Sequence, residues 1–421
     1  MPFKDSTKTF FTKMRRSLRR VSCFVLVLAF TLPSTALAKD EKPVIHAGYR
    51  TLASSLPSER LMLHMGVWYP TLRRPSAVKV GNWSFRAARN APVHTGPWPV
   101  IILSHDVTGD AWAHHTIAAS LARRGFIVAA PTHDHDNGND MRMLWADREL
   151  PLRAVQLRAA LDVVLEHKQI GPQADARRVG YLGFGLTAPA GLLLAGASLT
   201  PEGWKSFVEK QKAKANGQQS PWLKPFVMER MDTLVDSMRH RAEERQEKTA
   251  MMHRANESRG KLFQRLEDAT SRTHQRQMRL AKASDIPCPP SVLPLLPPLS
   301  HDRALADTRF KALAMVSPGY SMLFNRQSLL DVRKPVFLAG AGKDGFNIPS
   351  EQAEALRDML PLRPYYLLLP EADMASFHTP APASDAAKAL GGIYKSETQN
   401  SASYSALLEA LHHFFEHSLA Q

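Results

Sequence analysis

The chain has 421 residues, 44% of them hydrophobic and 22% charged, which supplies a large core and excludes a globally disordered chain. The net charge is +15, but no basic motif interleaved with aromatic residues accompanies it, so nucleic acid is not the expected partner. Cys23 and Cys288 are the only cysteines, and Cys23 falls within a leader, so no intramolecular disulfide is expected.

That leader opens the chain. Lys4, Lys8, Lys13, Arg15, Arg16, Arg19 and Arg20 form a basic stretch, Val21 to Leu32 is apolar, and Ala36-Leu37-Ala38 has the small-residue pattern of a cleavage site. The apolar run is short for a membrane span. A signal peptide over residues 1–38 is expected, with a mature chain starting at Lys39 and exported to a bacterial periplasm or secreted. Its removal lowers the net charge from +15 to +9.

Val67 to Tyr69 reads as a strand ending at Pro70. Trp98 to Ser104 is a continuous apolar run, the pattern of a strand covered on both faces. A turn over Asp106 to Asp110 leads into a helix from Trp112 to Arg124, and Phe126 to Ala130 is the next strand. His114 and His115 read as a wet rim. His133-Asp134-His135-Asp136, with Asp140, reads as a solvated polar loop; adjacent imidazoles can also chelate, but no helical His-x-x-x-His pair backs them, and neither metal nor cofactor is expected. Leu157, Leu161 and Val164 recur at helical spacing and place a helix over 151–168.

Arg177 to Leu182 then reads as a buried strand and Ala188 to Ala197 as a tightly packed helix. Between them lies Gly183-Phe184-Gly185-Leu186-Thr187. A strand, a glycine-lined turn and a packed helix make up the nucleophile elbow, Gly-x-Ser-x-Gly, which lifts a serine hydroxyl beside backbone N–H donors for the oxyanion. Here the serine position is Gly185 and the second glycine is Thr187.

Residues 199–284 break the rhythm. They hold 18 Lys/Arg against 11 Asp/Glu and only helix-prone stretches, with one apolar stripe at Phe226, Met231, Leu234, Val235 and Met238 and another at Leu262, Phe263 and Leu266. Ile286 to Pro298 is a proline-rich extended connector. Strands over Phe310–Val316, Pro335–Ala339 and Tyr365–Leu369 and a helix over Ser403–His417 complete the chain. The expected fold class is α/β, a mostly parallel sheet with helices on both faces. The expected division is core over 39–198, a helical basic insertion with its connector over 199–302, and core again over 303–421.

With its elbow, the core resembles the α/β-hydrolase group that contains dienelactone hydrolases and platelet-activating-factor acetylhydrolases. The resemblance covers about residues 47–198 and 303–417. Besides the elbow it rests on Val67-Trp68-Tyr69-Pro70, Ile102-Leu103-Ser104-His105, Leu121 to Pro131, Asp175 to Gly180, and Gly340-Ala341-Gly342-Lys343-Asp344. It implies an α/β-hydrolase fold with Asp344 as the retained triad acid, His105 and Asp106 in the oxyanion loop, and Leu186 beside the nucleophile position. It also places Asp106 at a glycine of that loop and Met374 at the histidine position, with His378 as a substitute base. Asp344 is alternatively a remnant that caps local backbone N–H groups.

Losing the serine or histidine of such a triad removes about 10⁶ in turnover in subtilisin. The expected function is therefore an exported, catalytically degenerate member of the fold with a binding or structural role. One alternative is an ester hydrolase with a relocated nucleophile and His378 as base; Ser104, Thr187, Ser376 and Cys288 are the substitute nucleophiles. Another is a periplasmic interaction protein working through its insertion. Expected partners are a small-molecule or lipid- or ester-like ligand in the cleft and an anionic partner at the insertion. The sequence sets no oligomeric state.

Overall fold

The computed structural model describes residues 43–56, 61–81, 83–107, 109–214, 220–273, 305–378 and 402–420, with side chains of the 225–273 helix up to residue 252. The leader, Cys288, the proline-rich connector and the side chains of Leu262, Phe263 and Leu266 lie outside these.

Ten strands form one sheet. In chain order they are β1 (His46–Leu56), β2 (Leu61–Thr71), β3 (Ser76–Val80), β4 (Trp83–Arg89), β5 (Trp98–Ser104), β6 (Ile127–Thr132), β7 (Ala174–Phe184), β8 (Phe310–Val316), β9 (Val336–Ala341) and β10 (Tyr365–Leu369). Their order across the sheet is β10-β9-β8-β7-β5-β6-β2-β1-β4-β3. From β6 to β10 all pairings are parallel, while β2 runs antiparallel to β6 and β1 antiparallel to β2.

The central strands β5 to β9 are near-continuous apolar runs because helices cover both faces. On one face lie α1 (His115–Arg123) and the C-terminal helix; on the other lie α2 (Glu149–Glu166) and α3 (Ala190–Leu194). The C-terminal helix approaches the sheet closely: a Cβ on Gly180 would meet the Phe415 ring at 2.7 Å. This is the α/β architecture read from the sequence, with two differences. Four strands precede Trp98 rather than one, and the elbow helix is only five residues long because Pro189 starts it and Gly196 closes it.

The insertion supplies α4 (Gly203–Lys214) and α5 (Pro225–Thr273), and the core resumes with α6 (Ala353–Met359) and ends with α7 (Ala402–Ser418). Trp204, Phe207, Trp222, Met231, Leu234 and Val235 are buried in the same apolar cluster as α2 and α3, so the insertion is seated on that face. Phe226, read as part of the buried stripe, is instead 57% exposed and edges onto Trp145 at 5.5 Å. The Trp222 indole N–H donates to the Phe346 carbonyl at 2.9 Å, and its ring lies 4.3 Å from that of Phe346.

Candidate active site

The C-terminal end of β7 leads directly into a 3₁₀ turn over Gly185–Thr187. Gly185 has φ +67°, a left-handed conformation that glycine adopts without the penalty of a Cβ. This is the geometry of a nucleophile elbow, with no side chain at its apex.

The apex volume is occupied from across the sheet. β5 pairs with β7, Ser104 opposite Gly183, so the chain beyond Ser104 passes beside the elbow. A Cβ built on Gly185 would overlap all three carboxyl atoms of Asp106. Asp106 Oδ1 accepts from the Leu186 backbone N–H at 3.0 Å and from the Val107 backbone N–H at 2.8 Å. In a working elbow, the N–H of the residue after the nucleophile and a second N–H from the loop after this strand bind the oxyanion. Here a carboxylate of the protein itself accepts from both. Burial pushes the Asp106 carboxyl up to about 6, against the opposing pull of its backbone donors and Arg153.

The remaining triad positions lie near enough for Asp344 to raise the Asp106 carboxyl through its charge, but each is held by its own contacts. Asp344 follows β9, buried, and its Oδ1 accepts from the backbone N–H groups of Phe346 and Asn347, each at 2.9 Å. Its Oδ2 accepts from the Ser317 hydroxyl at 2.7 Å and the Asn347 amide at 3.4 Å. Among the described residues no histidine donates to it, so Asp344 holds its own loop. Met374 is buried in the 3₁₀ turn over Met374–Phe377, which Asp373 and Ser376 close as a capping box. His378 follows this turn, its ring 4.7 Å from that of His114. Burial holds the His378 imidazole down, to about 4.

Several readings of individual residues are corrected. His114 and His115 are not a wet rim: both are buried, and His114 stacks on Phe184 at 3.7 Å and bonds the Phe377 carbonyl through Nδ1. Ser376, another of the substitute nucleophiles, is buried in its capping box. The His133–Asp136 segment divides, with His133 and Asp136 buried and Asp134 and His135 between them half-buried. Asp134, His135 and Asp140 bring ligand atoms within 4.8 Å of one another, a spacing suited to a cation. The Arg142 guanidinium already bonds Asp140 and, at 2.7 Å, His135 Nδ1.

Ser104, the first of the substitute nucleophiles, belongs to a buried polar network. Its hydroxyl donates to His133 Nε2 at 2.9 Å, and His133 Nδ1 donates to Gln156 Oε1 at 2.8 Å. Arg153 donates to the Ser104 hydroxyl at 3.2 Å and also bonds Asp136 and the His105 carbonyl. His105 donates from Nδ1 to the Asp106 carbonyl at 2.6 Å and accepts the His133 N–H at Nε2 at 3.0 Å, which holds the oxyanion loop against β6. Burial keeps His105 and His133 well below the usual imidazole range, with Arg153 acting in the same direction. The sequence carried a signal for this network. Glu149, Arg153 and Gln156 sit at i, i+4 and i+7 on the same face of α2 as Leu157, Leu161 and Val164.

Residues 64–152 match the family model described as platelet-activating factor acetylhydrolase, isoform II, a span that includes Asp106 and stops before Gly185. Among solved structures, a ferulic acid esterase from Streptomyces cinnamoneus aligns over 90% of this chain and 92% of its own, with a TM-score of 0.52 and 16% identity. At that identity the likeness shows the fold alone. No curated protein matches the sequence.

Proposed function

We propose that this α/β-hydrolase-fold chain, similar over residues 64–152 to platelet-activating-factor acetylhydrolases, has given up ester hydrolysis and acts by binding. The observation that carries the reading is the Asp106 carboxylate on the Leu186 and Val107 N–H groups. An acyl-transfer site gains most from donors left open for an oxygen that becomes negative in the transition state. Donors that already hold a carboxylate offer nothing to a second anion. Gly185 supplies no nucleophile, and a His378 imidazole held near 4 is a weak base at neutral pH. A neutral, partly apolar ligand in the old substrate cleft fits this chemistry better than an ester undergoing attack. The basic and apolar leader with its Ala36-Leu37-Ala38 site supports export, and N-terminal sequencing of the recovered protein tests it by whether Lys39 is the first residue.

The purified mature protein should not hydrolyse short-chain aryl esters above a protein-free control, nor take label from serine-directed phosphonates. Turnover well above control that disappears in His378→Ala would overturn this reading and establish an esterase with a relocated nucleophile.

A further inference from the structure

The last two turns of α7 carry His412, His413 and His417, three of the chain's 17 histidines within six residues. Leu407, Leu411, Phe414 and Phe415 form the buried face of this helix, and the Phe414 ring lies 5.6 Å from those of Phe337 and Tyr365. His413 and His417 stand on its exposed side at i and i+4, one turn apart. Packing therefore asks for histidine at neither position. We propose that His413 and His417 together bind one divalent transition-metal ion of the copper(II) or nickel(II) class.

The rings are already placed for this. They stack with centroids 4.0 Å apart and planes 24° from parallel. His417 Nδ1 donates to the His413 backbone carbonyl at 2.8 Å. A carbonyl only accepts, so in the neutral ring the proton sits on Nδ1 and the lone pair on Nε2. An Nδ1–H bond to a backbone carbonyl is one of the contacts that orient metal-ligating histidines and fix their tautomer. Metal–nitrogen bonds of about 2.0–2.1 Å set at a right angle hold two nitrogens about 3 Å apart, so the exposed rings need to close by only about one ångström. The buried face of α7 holds the backbone between them in place, so little beyond the two side chains has to be ordered.

The number of ligands selects the metal. Glu409, one turn before His413, is engaged by Arg124. Glu416 makes a loose contact of 3.9 Å with His412. Among the described residues no third side chain completes a three-ligand cluster with the pair. The order His413-Phe414-Phe415-Glu416-His417 matches the H-x-x-E-H spacing of a class of zinc peptidases, but a catalytic zinc takes three protein ligands and a structural zinc four. Two adjacent imidazoles with water in the remaining positions suit the tetragonal geometry of copper(II) and nickel(II), and copper(II) heads the affinity order. The Asp134, His135 and Asp140 cluster differs in that the Arg142 guanidinium already occupies it. No residue of the elbow takes part, so this site stands apart from the fate of ester hydrolysis.

Calorimetric titration of copper(II) chloride into the mature chain, prepared without a histidine tag, tests the proposal, with electron paramagnetic resonance as a second readout. Saturable binding is expected, tighter for copper(II) than for nickel(II) or zinc(II), with hyperfine splitting from two imidazole nitrogens. His413→Ala and His417→Ala should each weaken copper binding about tenfold or more. The double variant should lose little beyond either single one, because each change alone already breaks the chelate. Both positions are exposed, so the variants should fold as the wild type does. His240→Ala, which removes an exposed histidine paired with Glu244 on α5, should bind copper normally. Absence of saturable copper binding, or wild-type affinity in either His413→Ala or His417→Ala, would overturn the proposal. So would loss of binding in Asp140→Asn, which would place the ion at the other cluster.

Discussion

Asp106 and Gly185 exclude each other's alternatives: the carboxylate of the first fills the volume that a side chain on the second would need. A serine at 185 would therefore meet two obstacles, a left-handed backbone and an occupied apex.

Gly185→Ser should destabilise the protein by about 2–4 kcal/mol, combining the left-handed penalty with overpacking. Asp106→Gly in the same chain should relieve the overlap but not the backbone term, giving a coupling of about 1–3 kcal/mol in a double-mutant cycle. Urea unfolding of the two single variants and the double variant measures this. Strict additivity would show that the two residues do not share the apex.

The pH dependence of stability has a definite sign. His115 and His378 are held near 4, and His105, His114 and His133 also lie well below the usual range, all through burial. An imidazole that binds protons better in the unfolded chain loses stability as pH falls from its unfolded value of about 6.5 through its folded one. Asp106, raised to about 6, acts oppositely and adds stability as pH falls from about 6 towards its unfolded value. Five histidines outweigh it, so the melting temperature should drop between pH 6.5 and 4. Asp106→Asn, neutral throughout, should be at least as stable as the wild type at pH 7 and fall more steeply on acidification. A flat profile, or a less stable Asn variant at pH 7, would refute the assignment.

Arg153 joins strands β5 and β6 through Ser104, the His105 carbonyl and Asp136. Arg153→Met should cost about 3–5 kcal/mol because it leaves the Asp136 carboxylate buried without its cation. Arg153→Met together with Asp136→Leu should recover much of that. Chemical denaturation checks both, and a loss below 1 kcal/mol in the single variant would count against a network of this weight.

Trp222→Phe separates packing from hydrogen bonding where the insertion meets the Asp344 loop. Loss of the indole N–H leaves the buried Phe346 carbonyl without that donor, and a destabilisation of about 1–3 kcal/mol is expected. Hydrogen exchange at the Phe346 and Asn347 amides, which Asp344 accepts, should quicken in parallel.

The sheet from Trp98 onward was legible because buried parallel strands read as unbroken apolar runs, a pattern that Val100–Leu103, Tyr181–Phe184 and Leu313–Val316 all carry. The strands β3 and β4 were not: β3 is five residues long and buries only Val78, and β4 alternates from Trp83 to Ala87 but has no apolar run. The glycine at the elbow was legible from the motif alone. The partner of that glycine was half legible: the family resemblance placed Asp106 at a glycine of the oxyanion loop, but whether a short side chain points into a hole or away from it depends on the local turn. The network around Arg153 was hidden for a different reason. Its members come from β5, the segment after β6, and α2, and only the folded sheet brings them together.

A carboxylate carried by the same chain as its two donors, one of them the next residue, is a ligand that cannot diffuse away. Even a loosely tethered group competes as if present at about millimolar concentration, and Asp106, fixed by its own loop, exceeds that. Free carboxylates or phosphates at ordinary cellular levels therefore have little hold on the Leu186 and Val107 N–H groups. The intramolecular competitor therefore makes these two N–H groups selective against every acidic molecule that has to arrive by diffusion.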